Sequence, residues 1–270
     1  MTNPLLANVR LPGRIFPLPS KGLFYKEGIL SEKAQKTGEI EVKPMSGLAE
    51  IALKSADLLY TGRALQEICN DCIPDIKKAD LLNTKDIDAI FIFLRMATYG
   101  NEYSIDYKHD CKNAQDHTYM INLEHIVANQ YNDSLTKETI DLLFSVKLDN
   151  NQLVRLKPMT FEDSMKIIHM RQAVSSNFKE KTNDEYIKII QDITIEDALA
   201  IIDNVDGIDD RVNIREWLCA ITKPQLNAIL NQYVIAMDWG IKLKHNIKCK
   251  DCKSDFSYDM QLDPVSFFLG

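Results

Sequence analysis

Lys43-Pro44-Met45-Ser46 and Lys157-Pro158-Met159-Thr160 are near-copies of one another, and their surroundings match too. Ahead of the first, Leu23-Phe24-Tyr25 leads through a polar stretch to Glu41-Val42. Ahead of the second, Leu143-Phe144-Ser145-Val146 leads through Asp149-Asn150-Asn151 to Arg155-Leu156. Each set reads as strand, turn, strand and exit. The proline fixes its own φ and pushes the preceding residue toward extended conformations, so it closes the strand. Ser46 and Thr160 then stand where a helix needs an N-cap, and Asp163 sits at the third position after Thr160.

The match continues downstream. Thr84-Lys85 opens a helical pattern through Ile87, Ile90, Phe91, Leu94 and Met96 to Tyr99-Gly100; Thr222-Lys223-Pro224 opens another through Leu226, Ile229, Leu230, Tyr233 and Val234 to Trp239-Gly240. Glycine closes both and proline opens the second, the usual punctuation of a helix. Period-2 stretches follow, at Glu102 to Tyr107 and at Ile241 to Ile247, then cysteines, then Thr118 to Leu123 and Ser257 to Leu262. The second copy is longer, with room for helices at 183–192, 195–204 and 212–220. The order of matches points to an internal duplication, too short in copy number for a solenoid. The expected fold is α+β and mostly helical, in two related repeats, each a β-hairpin followed by helices and a small zinc-ribbon-like β element. The expected division is an extended arm over 1–22, a first repeat over 23–130 and a second over 140–270.

Four of the nine prolines (Pro4, Pro12, Pro17 and Pro19) crowd the arm. It also carries Leu11, Ile15, Phe16 and Leu18, and Phe24 and Tyr25 follow just beyond it. Two readings stand: the arm packs on its own domain, or these six residues dock on a neighbouring subunit. Under the second, deleting residues 1–22 abolishes partner binding and leaves the fold intact.

Four of the six cysteines form two C-x-x-C pairs. Cys249-Lys250-Asp251-Cys252 has the spacing of a zinc knuckle, and the equivalent place in the first copy holds Cys111 and His117, with His109 competing upstream. A structural zinc takes four Cys or His ligands, so one pair from each copy completes a set: Cys111, His117, Cys249 and Cys252. Plain reduced thiols and a redox dithiol are the alternatives. Such a zinc has no open position for water, so metal catalysis is not expected. Cys69 and Cys72 read as thiols on a helix, and Cys219 as core.

Catalytic signatures are missing: no Gly-x-Ser-x-Gly, His-Glu-x-x-His, phosphate loop or Gly-x-Gly-x-x-Gly. The acidic stretch Asp203 to Asp210 fails the EF-hand register, because Gly207 at position 6 puts Ile202 in the first ligand place. It reads as a solvated turn. The net charge of −7 in 270 residues argues against wrapping nucleic acid. No signal-like start and no span-length apolar run occur, so no membrane partner is expected. With two C-x-x-C pairs, the class implied is soluble and intracellular.

The line from Arg14-Ile15-Phe16-Pro17-Leu18-Pro19-Ser20-Lys21-Gly22 to Tyr25, the Lys-Pro-Met-Ser exit, Thr98-Tyr99-Gly100 and the run from Cys111 to Tyr119 resemble T4-like contractile-phage baseplate proteins, the hub subunits and hub-assembly proteins. The resemblance implies a structural part of the tail baseplate hub, in the virion and in the host cytoplasm during assembly. It implies other phage baseplate proteins as partners in a hetero-oligomeric complex, and no enzymatic activity. The first pair, Cys111 with His117, departs from two-Cys forms. The alternatives are a transient hub-assembly factor absent from the virion, and a zinc-ribbon regulator bound to nucleic acid.

Overall fold

Strand β1 (Arg14–Pro17) runs antiparallel to β2 (Glu39–Val42), with Phe16 opposite Ile40. The computed structural model describes residues 12–112, 115–128, 135–176, 183–262 and 267–268. Its helices and four small antiparallel sheets fall into two units. One comprises Met1–Ala79, Lys85–Asn132 and Gly240–Gly270; the other comprises Asp80–Thr84 and Asp133–Trp239. The second cysteine element, which the sequence assigned to the repeat over 140–270, thus belongs to the first unit.

In the first unit, a tight turn after β1 carries Ser20 to Tyr25, with Lys21 N–H donating to Leu18 O at 2.9 Å and Leu23 N–H to Ser20 O at 3.0 Å. Leu23-Phe24-Tyr25, expected as a strand, lies in this turn region, and the strand forms earlier, inside the arm. The described part of the arm, residues 12–22, is therefore part of the domain, as the first of the two readings has it. Phe16 is 5% exposed, Leu18 and Tyr25 are buried, Phe24 is half-buried, and Ile15 alone of these is open, at 56%. Leu11 lies outside the described residues. The physical reason is pairing: β2 takes up the backbone of β1, and Phe16 stacks on Phe93 at 4.5 Å. A docking role for Phe16, Leu18 and Tyr25 gives way to a core role.

Helices α1 (Glu32–Thr37), α2 (Gly47–Lys54), α3 (Ala56–Tyr60) and α4 (Arg63–Cys72) follow in order. Ser31, Ser46 and Ser55 accept from the N–H three residues on and cap the first three. The thiols of Cys69 and Cys72 face the core from α4. Helix α5 (Thr84–Tyr99) is apolar almost all round, as a central helix must be. It also carries two buried charged residues. Asp86 accepts hydrogen bonds from the turn after β1. The Arg95 cation lies 4.7 Å from the Tyr103 ring and 5.4 Å from that of Phe267, and it donates to the Phe267 carbonyl. Strand β3 (Glu102–Tyr107) pairs with β4 (His117–Asn122), and α6 (Leu123–Ala128) follows.

The second unit opens with α7 (Lys137–Leu143), started by a Thr136–Thr139 capping box. Strands β5 (Ser145–Lys147) and β6 (Leu153–Leu156) form the expected hairpin, and α8 (Phe161–Ser176) begins after Thr160, whose hydroxyl accepts from Asp163 N–H at 3.2 Å. The helices expected at 183–192 and 195–204 are one, α9 (Asn183–Ile201), because no glycine or proline interrupts the chain between them. The end of that stretch becomes β7 (Ile202–Val205), a third strand beside β6, as suits its β-branched residues. The acidic turn after it is exposed. Helices α10 (Arg211–Ala220) and α11 (Lys223–Ala236) complete the unit, the latter with Pro224 in its first turn and a Thr222–Gln225 capping box. The chain then returns to the first unit as β8 (Lys244–Lys248) and β9 (Asp255–Asp259).

Candidate metal centre

Two hairpins of the first unit bring four ligand atoms together. The segment leaving β3 carries His109 and Cys111, and the turn joining β8 to β9 carries Cys249 and Cys252. The imidazole nitrogen and three sulfurs all lie within 4.8 Å of one another, from positions up to 143 residues apart. His109 Nδ1 is 3.5 Å from Cys252 Sγ. A tetrahedral zinc with Zn–S of about 2.3 Å sets its ligands roughly 3.8 Å apart, so a Cys3His set of this span fits a closed structural site.

The knuckle is shaped by its backbone. Cys249 N–H donates to Ser254 O at 2.9 Å and Lys253 N–H donates to Cys249 O at 3.2 Å, while Lys253 takes φ +63° to turn the chain back. Cys249 is buried and Cys252 is exposed. The Ser254 hydroxyl and backbone N–H stabilise the thiolate and hold the Cys252 thiol down to about 6, with Cys249 and His109 adding to the effect. Cys111 moves the opposite way, to about 11, from desolvation first and then from the neighbouring thiols. A cation placed among these groups favours all three thiolates.

His109 also stacks on Phe256 of β9, centroid to centroid 4.9 Å, and Phe256 stacks on Tyr107 of β3 at 5.0 Å. The aromatic contacts thus align the two hairpins before any metal is considered.

The sequence chose His117 as the fourth ligand; the structure puts His109 in the cluster instead. His117 Nε2 is engaged 2.7 Å from Asp251 Oδ1, in the middle of the knuckle. Asp251 also accepts from Gln115 N–H at 3.0 Å, and its carboxyl is held below the usual range, chiefly by the His117 hydrogen bond. On the other side, Lys250 N–H donates to the Tyr119 hydroxyl at 3.2 Å and its ammonium to Thr118 O at 2.6 Å. The residues between the two knuckle cysteines are therefore pinned to β4. The signal for His109 was present in the strand: period 2 carried on from Tyr107 aligns His109 and Cys111 on one side. No pattern announced Asp251, Lys250 or Tyr119.

The family of T4 bacteriophage base plate proteins matches residues 31–269. The chain belongs to that family. No curated protein and no solved structure matches it. In this base plate protein all four cluster residues fall inside the matched stretch, whereas β1 and the turn after it precede the stretch. No helix among the described residues is long and apolar enough to cross a membrane.

Proposed function

We propose that this base plate protein is a structural component of the tail baseplate hub that binds neighbouring base plate proteins during assembly. The observation that carries the reading is the family match over residues 31–269, nearly the whole chain. The Cys3His cluster suits the role. Bound zinc would tie the segment after β3 to the β8–β9 turn, and structural zinc in such sites contributes on the order of 10–16 kcal/mol at neutral pH. His109, Cys111, Cys249 and Cys252 would hold it and leave no place for a reacting water, so the metal would serve structure rather than catalysis. The net charge of −7 disfavours a nucleic-acid regulator.

Quantitative mass spectrometry of purified tails alongside infected-cell lysate tests the reading. A fixed small number of copies per tail is expected. Abundance in the lysate with absence from the tail makes the protein a transient assembly factor and overturns a resident role.

A further inference from the structure

Strand β4, over Met120 to Asn122, and strand β8 each present an edge with no further strand beside it among the described residues, and both line one groove. Each belongs to a two-stranded sheet, so each has one neighbour among the described strands. The strand registers fix which backbone groups point outward. Leu123 N–H donates to Asn101 O at 2.8 Å, continuing the β3–β4 ladder and marking Asn101 with Leu123 as a hydrogen-bonded pair. In an antiparallel pair such pairs alternate with non-bonded ones, so Ile121 and Tyr119 face β3 with their backbone groups while Met120 and Asn122 face away. The β8–β9 ladder is framed likewise by Met260 N–H to Leu243 O and Cys249 N–H to Ser254 O, both 2.9 Å. Asn246 and Lys248 therefore direct their N–H and C=O groups away from β9.

These outward residues meet in space. Met120, Ile121 and Asn122 of β4, His125 and Ile126 of α6, and His245, Asn246, Ile247 and Lys248 of β8 line a cleft of about 420 Å³, within the range of ligand pockets. No backbone group of Met120, Asn246 or Lys248 pairs with another described residue outside its own sheet. Met120 is 60% exposed. An open edge is a template for another strand, and proteins that do not use it cover or distort it. Here two edges open onto the same cleft. The ring of His245 lines the cleft beside Asn246, with its Nε2 buried beneath the surface.

We infer that this cleft receives an extended segment of a neighbouring base plate protein, which adds as a strand to the free edges of β4 and β8. The backbone of the guest supplies the affinity, as in other β-strand additions, and side chains at alternate positions supply the choice. The charge of the wall narrows the guest. Lys248 lines the cleft and no carboxylate is among the residues that line it, so the segment carries an acidic residue beside Lys248. Ile121, Ile126 and Ile247 provide the apolar floor. The inference rests on the base plate reading for the source of the guest only.

The test uses the full zinc-loaded chain and fluorescein-labelled overlapping peptides that cover the other base plate proteins of the same phage, together with a peptide of residues 1–11 of this chain. Anisotropy is expected to find an acid-bearing peptide whose binding weakens at least tenfold when one central amide is N-methylated. Lys248→Glu is expected to weaken the same peptide at least tenfold with an unchanged melting temperature. N-methylation probes the strand bonds without altering the protein. Four outcomes overturn the inference: no peptide binds; N-methylation leaves binding intact; the peptide of residues 1–11 alone binds, making the guest the chain's own; or sedimentation shows self-association that Lys248→Glu abolishes, making it a second copy. Mass spectrometry of tails separates the two readings. Presence in tails with no peptide bound sinks the groove and spares the base plate role, while absence from tails sinks that role whatever the peptides do.

Discussion

The Tyr25 hydroxyl donates to the Asp86 carboxylate across 2.5 Å, joining the turn after β1 to the middle of the unit from 61 residues away. The same carboxylate accepts from Ser20 N–H at 2.9 Å and from the Ser20 hydroxyl at 2.5 Å. Hydrogen bonds to a charged group are the strong kind, and their loss leaves buried donors unpaired. Asp86→Ala is expected to cost about 2–4 kcal/mol and Tyr25→Phe about 1–2 kcal/mol, read by urea unfolding. Deleting residues 1–22 is expected to destabilise the first unit, contrary to the sequence expectation of an intact fold. A deletion variant that melts like the full chain returns the arm to the status of an appendage.

The helix punctuation was legible because it acts locally. Ser46, Thr222 with Pro224, and Gly100 mark helix ends through local backbone effects, and the structure places the ends there. Strand β3 was legible for the same reason, from period 2 over Glu102 to Tyr107. Pairing across distance was not. Nothing near Arg14 to Pro17 says that Glu39 to Val42 will pair with it, so the arm stood between packing on its own domain and docking on a neighbour, and Leu23 to Tyr25 read as the strand. The break expected near Asp192 did not form because no glycine or proline stands between the two segments, and α9 runs through as one helix. At the metal centre, three of the four clustered residues followed from cysteine spacing. The choice between His109 and His117 turned on Asp251, a residue far along the chain that occupies His117.

The cluster makes a prediction about metal content. Purified under reducing conditions, the chain is expected to carry one zinc, measured by plasma mass spectrometry. His109→Ala and Cys249→Ser are expected to lose it, and His117→Ala to keep it, since His117 holds the knuckle through Asp251 rather than through the metal. Loss of zinc from His117→Ala with retention in His109→Ala restores the sequence assignment.

Thiol reactivity of the metal-stripped chain gives a pH test with a definite sign. The thiolate is the nucleophile, so alkylation rises with pH through each thiol's own value. Cys252 lies at about 6 because Ser254 favours its thiolate, and Cys111 at about 11 because desolvation and its thiol neighbours oppose it. At pH 7.5 iodoacetamide is expected to label exposed Cys252 well ahead of Cys111, with a rate midpoint near 6. Zinc protects both. Cys69 is expected to stay unlabelled in the folded chain, since it is buried and its thiol is pushed well above the ordinary range. Peptide mapping by mass spectrometry reads all three sites, and equal labelling of Cys111 and Cys252 at pH 7.5 contradicts the geometry.

Asp88, one turn of α5 from Lys85, supplies a stability test. Burial pushes its carboxyl up from the ordinary 3.8 to about 6, and the nearby Lys85 only partly opposes the shift. The sign follows from proton uptake. Between the unfolded value and about 6 the folded chain holds a proton that the unfolded chain has released, so this group lowers stability as pH rises through that window. The penalty is absent below the unfolded value and complete above about 6. Asp88→Asn removes the charge and keeps the shape. It is expected to raise unfolding free energy by roughly 1–3 kcal/mol at pH 7.5 and to change it little at pH 3.5. Urea unfolding of both chains at the two pH values checks this. A variant less stable than the parent at pH 7.5 assigns the ionised carboxylate a favourable partner that outweighs its burial, and the ordering of the two chains, not the size of the difference, decides between the accounts.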